Sequence, residues 1–225
     1  MIKAVIFDLD GTLVEFNLDY KRLRAEVLNI LQKRHLPISV FSAKERITSI
    51  IEKAERLMTN KNINKKEIND VKKEIFLTVN QYELEAARTT YIIPSVIPTL
   101  KTLKKLHLKM GVFTISGKRP TEYILKRFKL KGFFDAVVTR EDALKVKPNP
   151  EHLKIIFEML NVKPRETIVV GDSESDMICA RETGAIAVGI KNKRTSIDRL
   201  VSAGADYVIS AFTDLITLIQ NINRH

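Results

Sequence analysis

Tryptophan is absent, cysteine occurs once, and the 225 residues include only eight glycines and four histidines. The single thiol, Cys179, excludes an intrachain disulfide. Its neighbours Ile178 and Ala180 suggest a small buried hydrophobe. His35, His107, His152 and His225 are scattered, and no cysteine–histidine grouping has zinc spacing. No apolar run approaches the roughly 18 residues that a membrane span needs. The N-terminal apolar stretch is too short for a secretory signal and leads straight into acids. A soluble, cytoplasmic protein with no membrane partner is expected.

What is present points to a folded chain. Hydrophobic residues make up 44% and charged residues 29%, and the charges are interspersed rather than blocked. That suits one large core, or a core with a smaller appended unit. The net charge of +11 attracts anions of some kind. The densest cationic stretch, KNINKKEINDVKKE at 61–74, alternates lysines with acids. It also carries Ile63, Ile68 and Val71 at helical spacing. This reads as the solvated face of a helix. With no interleaved aromatics, nucleic acid is not expected as a partner, and nothing defines an oligomeric state.

The hydrophobic pattern divides the chain. Residues 2–7 form a short continuous apolar run, a buried strand. From about 15 to 90 apolar residues recur at three-to-four spacing, as in Ile68, Val71, Ile75, Val79 and Tyr82. This predicts three or four amphipathic helices, with breaks at Leu36-Pro37 and Thr59–Asn64. After Pro94 helices alternate with apolar runs at 109–115, 135–139, 167–172, 185–190 and 206–210. Strand–helix alternation with continuous apolar strands predicts an α/β fold, a Rossmann-like three-layer core around a parallel sheet. The first strand belongs with that later half. The expected division is an α/β core of 1–14 and 91–225, with a helical domain of 15–90 inserted in it.

In open parallel sheets ligands bind beyond the carboxyl ends of the strands. Asp8 and Asp10 follow the first strand, Thr114 stands at the end of the 109–115 run with Ser116 after it, and Asp172 closes the 167–172 run with Asp176 beyond it. Lys147 lies in the loop after 135–139. In extended geometry Asp8 and Asp10 share a side. Carboxylates about 4 Å apart repel by roughly 4 kcal/mol at an effective dielectric of 20. They need a cation or a shared proton. Oxygen donors without histidine or cysteine favour Mg²⁺. Gly11 permits a sharp turn that brings backbone N–H groups towards an anion. Ser173 and Asp176 also fit a helix capping box, which is a purely structural use for Asp176.

The Asp8-Leu9-Asp10-Gly11-Thr12 motif, a later strand ending in Thr114, Lys147-Pro148, and the GDSESD run at 171–176 occur in this order. Together they resemble the haloacid dehalogenase (HAD) superfamily in its phosphatase branch, and the inserted helices resemble that family's cap. The resemblance implies Asp8 as nucleophile, forming an aspartyl-phosphate, and Asp10 as general acid and base. It implies Mg²⁺ held by Asp8, the Asp10 backbone carbonyl and Asp172, with Asp176 in close support. Thr114, Lys147 and Gly11 would bind phosphate, and the substrate would be a small phosphorylated metabolite, a phosphomonoester. Ile115 stands where the family carries a small polar residue, which leaves open whether Thr114 or Ser116 meets the phosphate. A phosphomutase or phosphotransferase would use the same motifs. A non-catalytic basic binding protein would not need the aspartates intact.

Overall fold

The structure, a computed structural model, describes residues 1–15, 17–42, 45–192 and 195–224, so His225 lies outside it. In chain order the elements are β1 (Ala4–Phe7), β2 (Val14–Glu15), α1 (Tyr20–Lys33), α2 (Ile47–Asn60), α3 (Lys65–Thr89), β3 (Tyr91–Ile92), α4 (Val96–Lys105), β4 (Lys109–Phe113) and α5 (Lys118–Arg127). They continue as β5 (Ala136–Val138), α6 (Glu151–Leu160), β6 (Thr167–Gly171), α7 (Glu174–Thr183), β7 (Ile186–Ile190), α8 (Ile197–Ala203), β8 (Tyr207–Ile209) and α9 (Asp214–Arg224).

All four residues of β1 and all five of β6 are buried. Strands buried on both faces have no polar side to alternate, so they read as continuous apolar runs. Six strands form one parallel sheet in the order β5-β4-β1-β6-β7-β8. Strand order reverses at β1, with β4 on one side and β6 on the other. Right-handed crossovers then put α4 and α5 on one face and α6, α7 and α8 on the opposite face. The contacts agree: α6 packs on α7, α7 on α8, and α4 on α9. Cys179 is buried in the core beneath α6–α8, its Sγ 3.4 Å from the Asn149 carbonyl. Burial pushes its thiol up to about 12, so it is an inert packing residue.

The chain divides into two compact units, Met1–Phe16 with Ala87–His225, and Asn17–Ala86. The second is helical. Leu23, Val27, Ile50, Met58, Val71 and Ile75 belong to its own buried core, on the apolar stripes of α1, α2 and α3. Tyr82 of the expected stripe is only partly buried. Its cations are laced with acids: Lys53 to Glu45, Lys72 to Glu55, and Arg34 to Glu74. The antiparallel pair of β2 and β3 was not expected, since two-residue strands carry no periodicity. Among the described residues, no helix is long and apolar enough to cross a membrane.

Candidate active site

The reversal of strand order opens a crevice beyond the carboxyl ends of β4, β1 and β6. The sheet ladder runs one residue past two of these strands and fixes what stands there. Asp8 N–H donates to Val170 O at 2.9 Å, and Thr114 N–H donates to Val138 O at 2.9 Å. Asp172 follows β6 directly. Asp176 occupies the first turn of α7, where its carboxylate closes a capping box: Oδ2 accepts from Ser173 N–H at 3.0 Å and from Ser173 Oγ at 2.6 Å.

The carboxylates of Asp8, Asp172 and Asp176 converge, one oxygen from each lying within 4.8 Å of the others. Lys147 Nζ reaches into the cluster from the loop after β5. It donates to Asp8 Oδ1 at 2.6 Å, Asp176 Oδ1 at 2.7 Å and Phe113 O at 3.3 Å. It also lies 4.2 Å from the centroid of the Phe113 ring, whose face favours a cation. Lys147 is thus held on four sides. Burial disfavours its charge, but Asp176 and Asp8 outweigh burial and raise its pKa above the ordinary lysine value.

One lysine does not balance three carboxylates. Burial, only partly offset by Lys147, pushes Asp8 well above the ordinary carboxylate range, and Asp176, Asp172 and Asp10 add to the push. Burial and Asp176 push Asp172 up to about 6, against the opposing hydrogen bond from Asn192. Crowded, desolvated carboxylates with oxygen donors only are what a hard divalent cation relieves, so the residues fit a metal. Asp8 Oδ2 accepts no hydrogen bond among the described residues. Both oxygens of Asp176 are already engaged, by Lys147 and Ser173, so its hydrogen bonds serve to hold Lys147.

Asp172 is gripped at Oδ2. Asn192 Nδ2 donates to it at 2.5 Å, while Asn192 Oδ1 accepts from Thr195 N–H at 3.0 Å. That second bond orients the amide, because a backbone N–H only donates. On the other side Gly11, at φ +91°, lies so close that a Cβ there would meet Asp172 Oδ2 at 2.3 Å. Gly11 N–H itself donates to Val14 O at 2.7 Å. That N–H is therefore spent on closing the turn. Glycine is needed here for its positive φ and for the approach of Asp172. Gly171 makes similar room for Asp176, whose Cβ would be 2.4 Å from a Cβ at that position.

Asp10 turns elsewhere. Its Oδ2 accepts from Ser116 Oγ at 2.5 Å and from Thr114 Oγ1 at 3.4 Å, and Ser116 N–H donates to Thr114 Oγ1 at 3.0 Å. Both hydroxyls that the sequence offered after β4 thus converge on Asp10. From sequence Ser116 stood out only as an alternative to Thr114 for the phosphate contact, and Asn192, the partner of Asp172, did not stand out because it lies in no recognisable acid or lysine motif.

A buried strand ending in an aspartate, a lysine tying it to a second acid, and a third acid from the neighbouring strand define a class. The chain belongs to the haloacid dehalogenase-like hydrolase family, whose model matches residues 5–190, and it is a hydrolase of that class. Pyrophosphatase PpaX of Bacillus mycoides is 30% identical over 233 residues, covering 99% of each chain. The protein of the same name from Bacillus cereus is 31% identical over 234 residues, again covering 99% of each. A hydrolase from Pseudomonas syringae shares the fold at TM-score 0.69 and 24% identity, over 98% of this chain and 99% of that one. A HAD-superfamily hydrolase of subfamily IA from Geobacter sulfurreducens does so at TM-score 0.61 and 24% identity, over 97% and 100%.

Proposed function

We propose that this hydrolase is a Mg²⁺-dependent phosphatase that releases phosphate from a small phosphorylated substrate through an aspartyl-phosphate on Asp8. The observation that carries the reading is the buried tie of Lys147 to Asp8 and Asp176 beside Asp172. It presents a carboxylate with one oxygen anchored and the other unengaged. Asp8 attacks phosphorus as the ester oxygen leaves. Asp10, held by Ser116, gives that oxygen its proton and then takes one from the water that cleaves the acyl phosphate. Lys147 holds charge on the phosphoryl oxygens, with Thr114 beside them. Asp8, the Asp10 carbonyl and Asp172 would hold Mg²⁺, which supplies charge neutralisation at the phosphoryl group. Asp176 keeps Lys147 in place. The inserted helical unit, read as a cap, is the part of the chain expected to choose among substrates.

A small phosphomonoester is the substrate class the motifs suggest. Inorganic pyrophosphate stands beside it, because the relatives that match over 99% of their length carry that activity in their name. The experiment is hydrolysis of an aryl phosphate and of pyrophosphate, with and without Mg²⁺, by wild type and Asp8→Asn. Metal-dependent turnover lost in the variant supports the reading, and the ratio of the two rates identifies the preferred class. Turnover that survives Asp8→Asn, with deamidation excluded, rejects Asp8 as nucleophile.

A further inference from the structure

The net charge of the chain is concentrated. Between Ala86 and Phe134 there are eleven lysines and arginines and one acid, Glu122. Ten of the eleven net charges therefore sit in this segment, which is separate from the cationic stretch at 61–74. The fold gathers them further. Because β4 and β5 are parallel neighbours, the turns leading into them lie side by side on the amino edge of the sheet. The first turn carries Lys104, Lys105 and Lys109; the second carries Lys126, Arg127, Lys129 and Lys131. All seven are exposed. The catalytic groups follow the carboxyl ends of the strands, at the opposite edge.

These cations differ from those of the helical unit. There, Lys53, Lys72 and Arg34 are paired with acids. None of the seven at the amino edge has an acidic partner among the described residues. Three are instead fastened to carbonyl oxygens, which hold a cation in place without neutralising it. Lys104 Nζ donates to Gly132 O at 2.8 Å, so it ties one turn to the other, and lies 5.8 Å from the Phe133 ring centroid. Lys109 Nζ donates to Leu160 O at 2.6 Å. Arg127 donates to Ala87 O at 2.9 Å and Thr90 O at 2.8 Å. The nearby acid Asp135 is engaged on the Met110 N–H at 2.8 Å.

Unpaired like charges on one surface repel, and a polyanion relieves that repulsion. Cations already fastened lose little further freedom on binding. We infer that the amino edge of β4 and β5 is a docking surface for the phosphate backbone of duplex nucleic acid, contacted without reading sequence. Fixed cations suit the fixed spacing of duplex phosphates better than a fluid lipid surface. Leu106 is the one large apolar side chain exposed in the two turns, at 45%, which is too little to anchor in a bilayer. The two turns expose no phenylalanine, tyrosine, asparagine or glutamine side chain to stack on bases or read their edges, and His107 is the one exposed ring they carry. The inference does not depend on the catalytic reading, because the two surfaces lie at opposite edges of the sheet.

The test is binding of a labelled DNA duplex of about 20 base pairs, by fluorescence anisotropy, between about 50 and 200 mM salt. Three forms of the full chain are compared. One is wild type. The second carries Lys105→Ala, Lys126→Ala, Lys129→Ala and Lys131→Ala. The third carries Lys33→Ala, Lys65→Ala, Lys66→Ala and Lys73→Ala, removing the same formal charge from the helical unit. Wild type is expected to bind, with affinity falling steeply as salt rises. The amino-edge variant is expected to bind about tenfold or more weakly, with a salt slope shallower by two or more. The helical-unit variant should stay within about threefold of wild type. Equal loss in both variants, no wild-type binding at low salt, or tighter binding to phosphatidylserine vesicles than to the duplex would each overturn the inference. Should the quadruple variant fail to fold, Lys105→Gln and Lys131→Gln, tested singly, must each lower the slope by about one.

Discussion

Lys147 Nζ stands 2.6 Å from Asp8 Oδ1, and both side chains are more than nine-tenths buried. The same ammonium is 2.7 Å from Asp176, so one cation joins the proposed nucleophile on β1 to the first turn of α7. This arrangement separates two roles that a variant can test. Lys147→Met removes charge that would stabilise the phosphoryl oxygens, and turnover of an aryl phosphate should fall by about 10²–10³. It also removes a positive charge competing with the metal, so Mg²⁺ affinity, measured by calorimetry, should not weaken. Parallel loss of metal binding and turnover would reduce Lys147 to a structural prop.

The acid cluster makes the metal-free protein sensitive to pH in a definite direction. Asp172 titrates at about 6 in the folded protein against an ordinary 3.8. Its folded pKa is raised, so its contribution to stability is fully present below about pH 4 and lost as pH rises through about 6. The loss is about 3 kcal/mol. Asp8 acts with the same sign. In EDTA, therefore, Asp172→Asn and Asp8→Asn should melt a few degrees higher than wild type at pH 7. Mg²⁺ should raise the wild-type melting temperature and leave the variants nearly unchanged. Thermal melts at pH 4 and pH 7, with and without Mg²⁺, check all of this.

Much of this arrangement was legible in the sequence. Asp8, Asp172 and the strands before them stood out, because a parallel strand buried on both faces reads as an unbroken apolar run and the acid after it as a sharp stop. The pair of β2 and β3 did not stand out, since two residues carry no period. Nor did the orientation of Asp10: the Asp8-Leu9-Asp10 spacing suggested a shared side, yet the chain bends at Leu9. The carboxylate of Asp10 goes to Ser116 instead. Gly11 was noticed for its turn. Its close approach to Asp172 depends on two strands more than a hundred residues apart in the chain, and no local pattern records such a distance.

His152 titrates with the opposite sign. It is fully buried, with Nε2 3.3 Å from Thr139 O, which makes Nε2 the protonated nitrogen. Nδ1 is buried without a partner among the described residues. Burial, with Lys147 acting in the same direction against Thr139, Asp142 and Asp176, holds its pKa down at about 4. Its folded pKa is lowered from 6.5, so its contribution is present above that pH and lost as pH falls towards 4. The loss is about 3 kcal/mol. With Mg²⁺ present, wild type should lose about that much more stability between pH 7 and pH 4 than His152→Gln. Denaturant unfolding at both pH values gives the difference.

Ser116 Oγ donates to the carboxylate of Asp10, so Ser116→Ala should misplace the proposed acid while sparing Asp8. General acid help matters when the leaving group is poor and little when it is good. Turnover of an alkyl phosphate should therefore fall about tenfold or more, with p-nitrophenyl phosphate held within about threefold. Thr114→Val, at the longer 3.4 Å contact, should show the smaller split. Equal loss on both substrates would place Ser116 at the phosphoryl group instead.

Asp172 offers the sharpest contrast between two neighbours of one atom. Asn192 and Gly11 both meet its Oδ2, one by a hydrogen bond and the other by having no side chain. Asn192→Ala leaves the backbone alone and frees the carboxylate to rotate. Mg²⁺ affinity should fall about tenfold, in line with loss of a hydrogen bond to a ligating carboxylate, with little change in metal-free melting. Gly11→Ala puts a methyl group into the space of Asp172 at a φ that L-residues resist. Stability should drop by more than about 1 kcal/mol, and metal binding should fail with it. Calorimetric Mg²⁺ titration beside thermal melts separates the two. If Asn192→Ala loses stability as Gly11→Ala does, Asn192 is holding the loop through Thr195, and orientation of Asp172 must come from Gly11 alone.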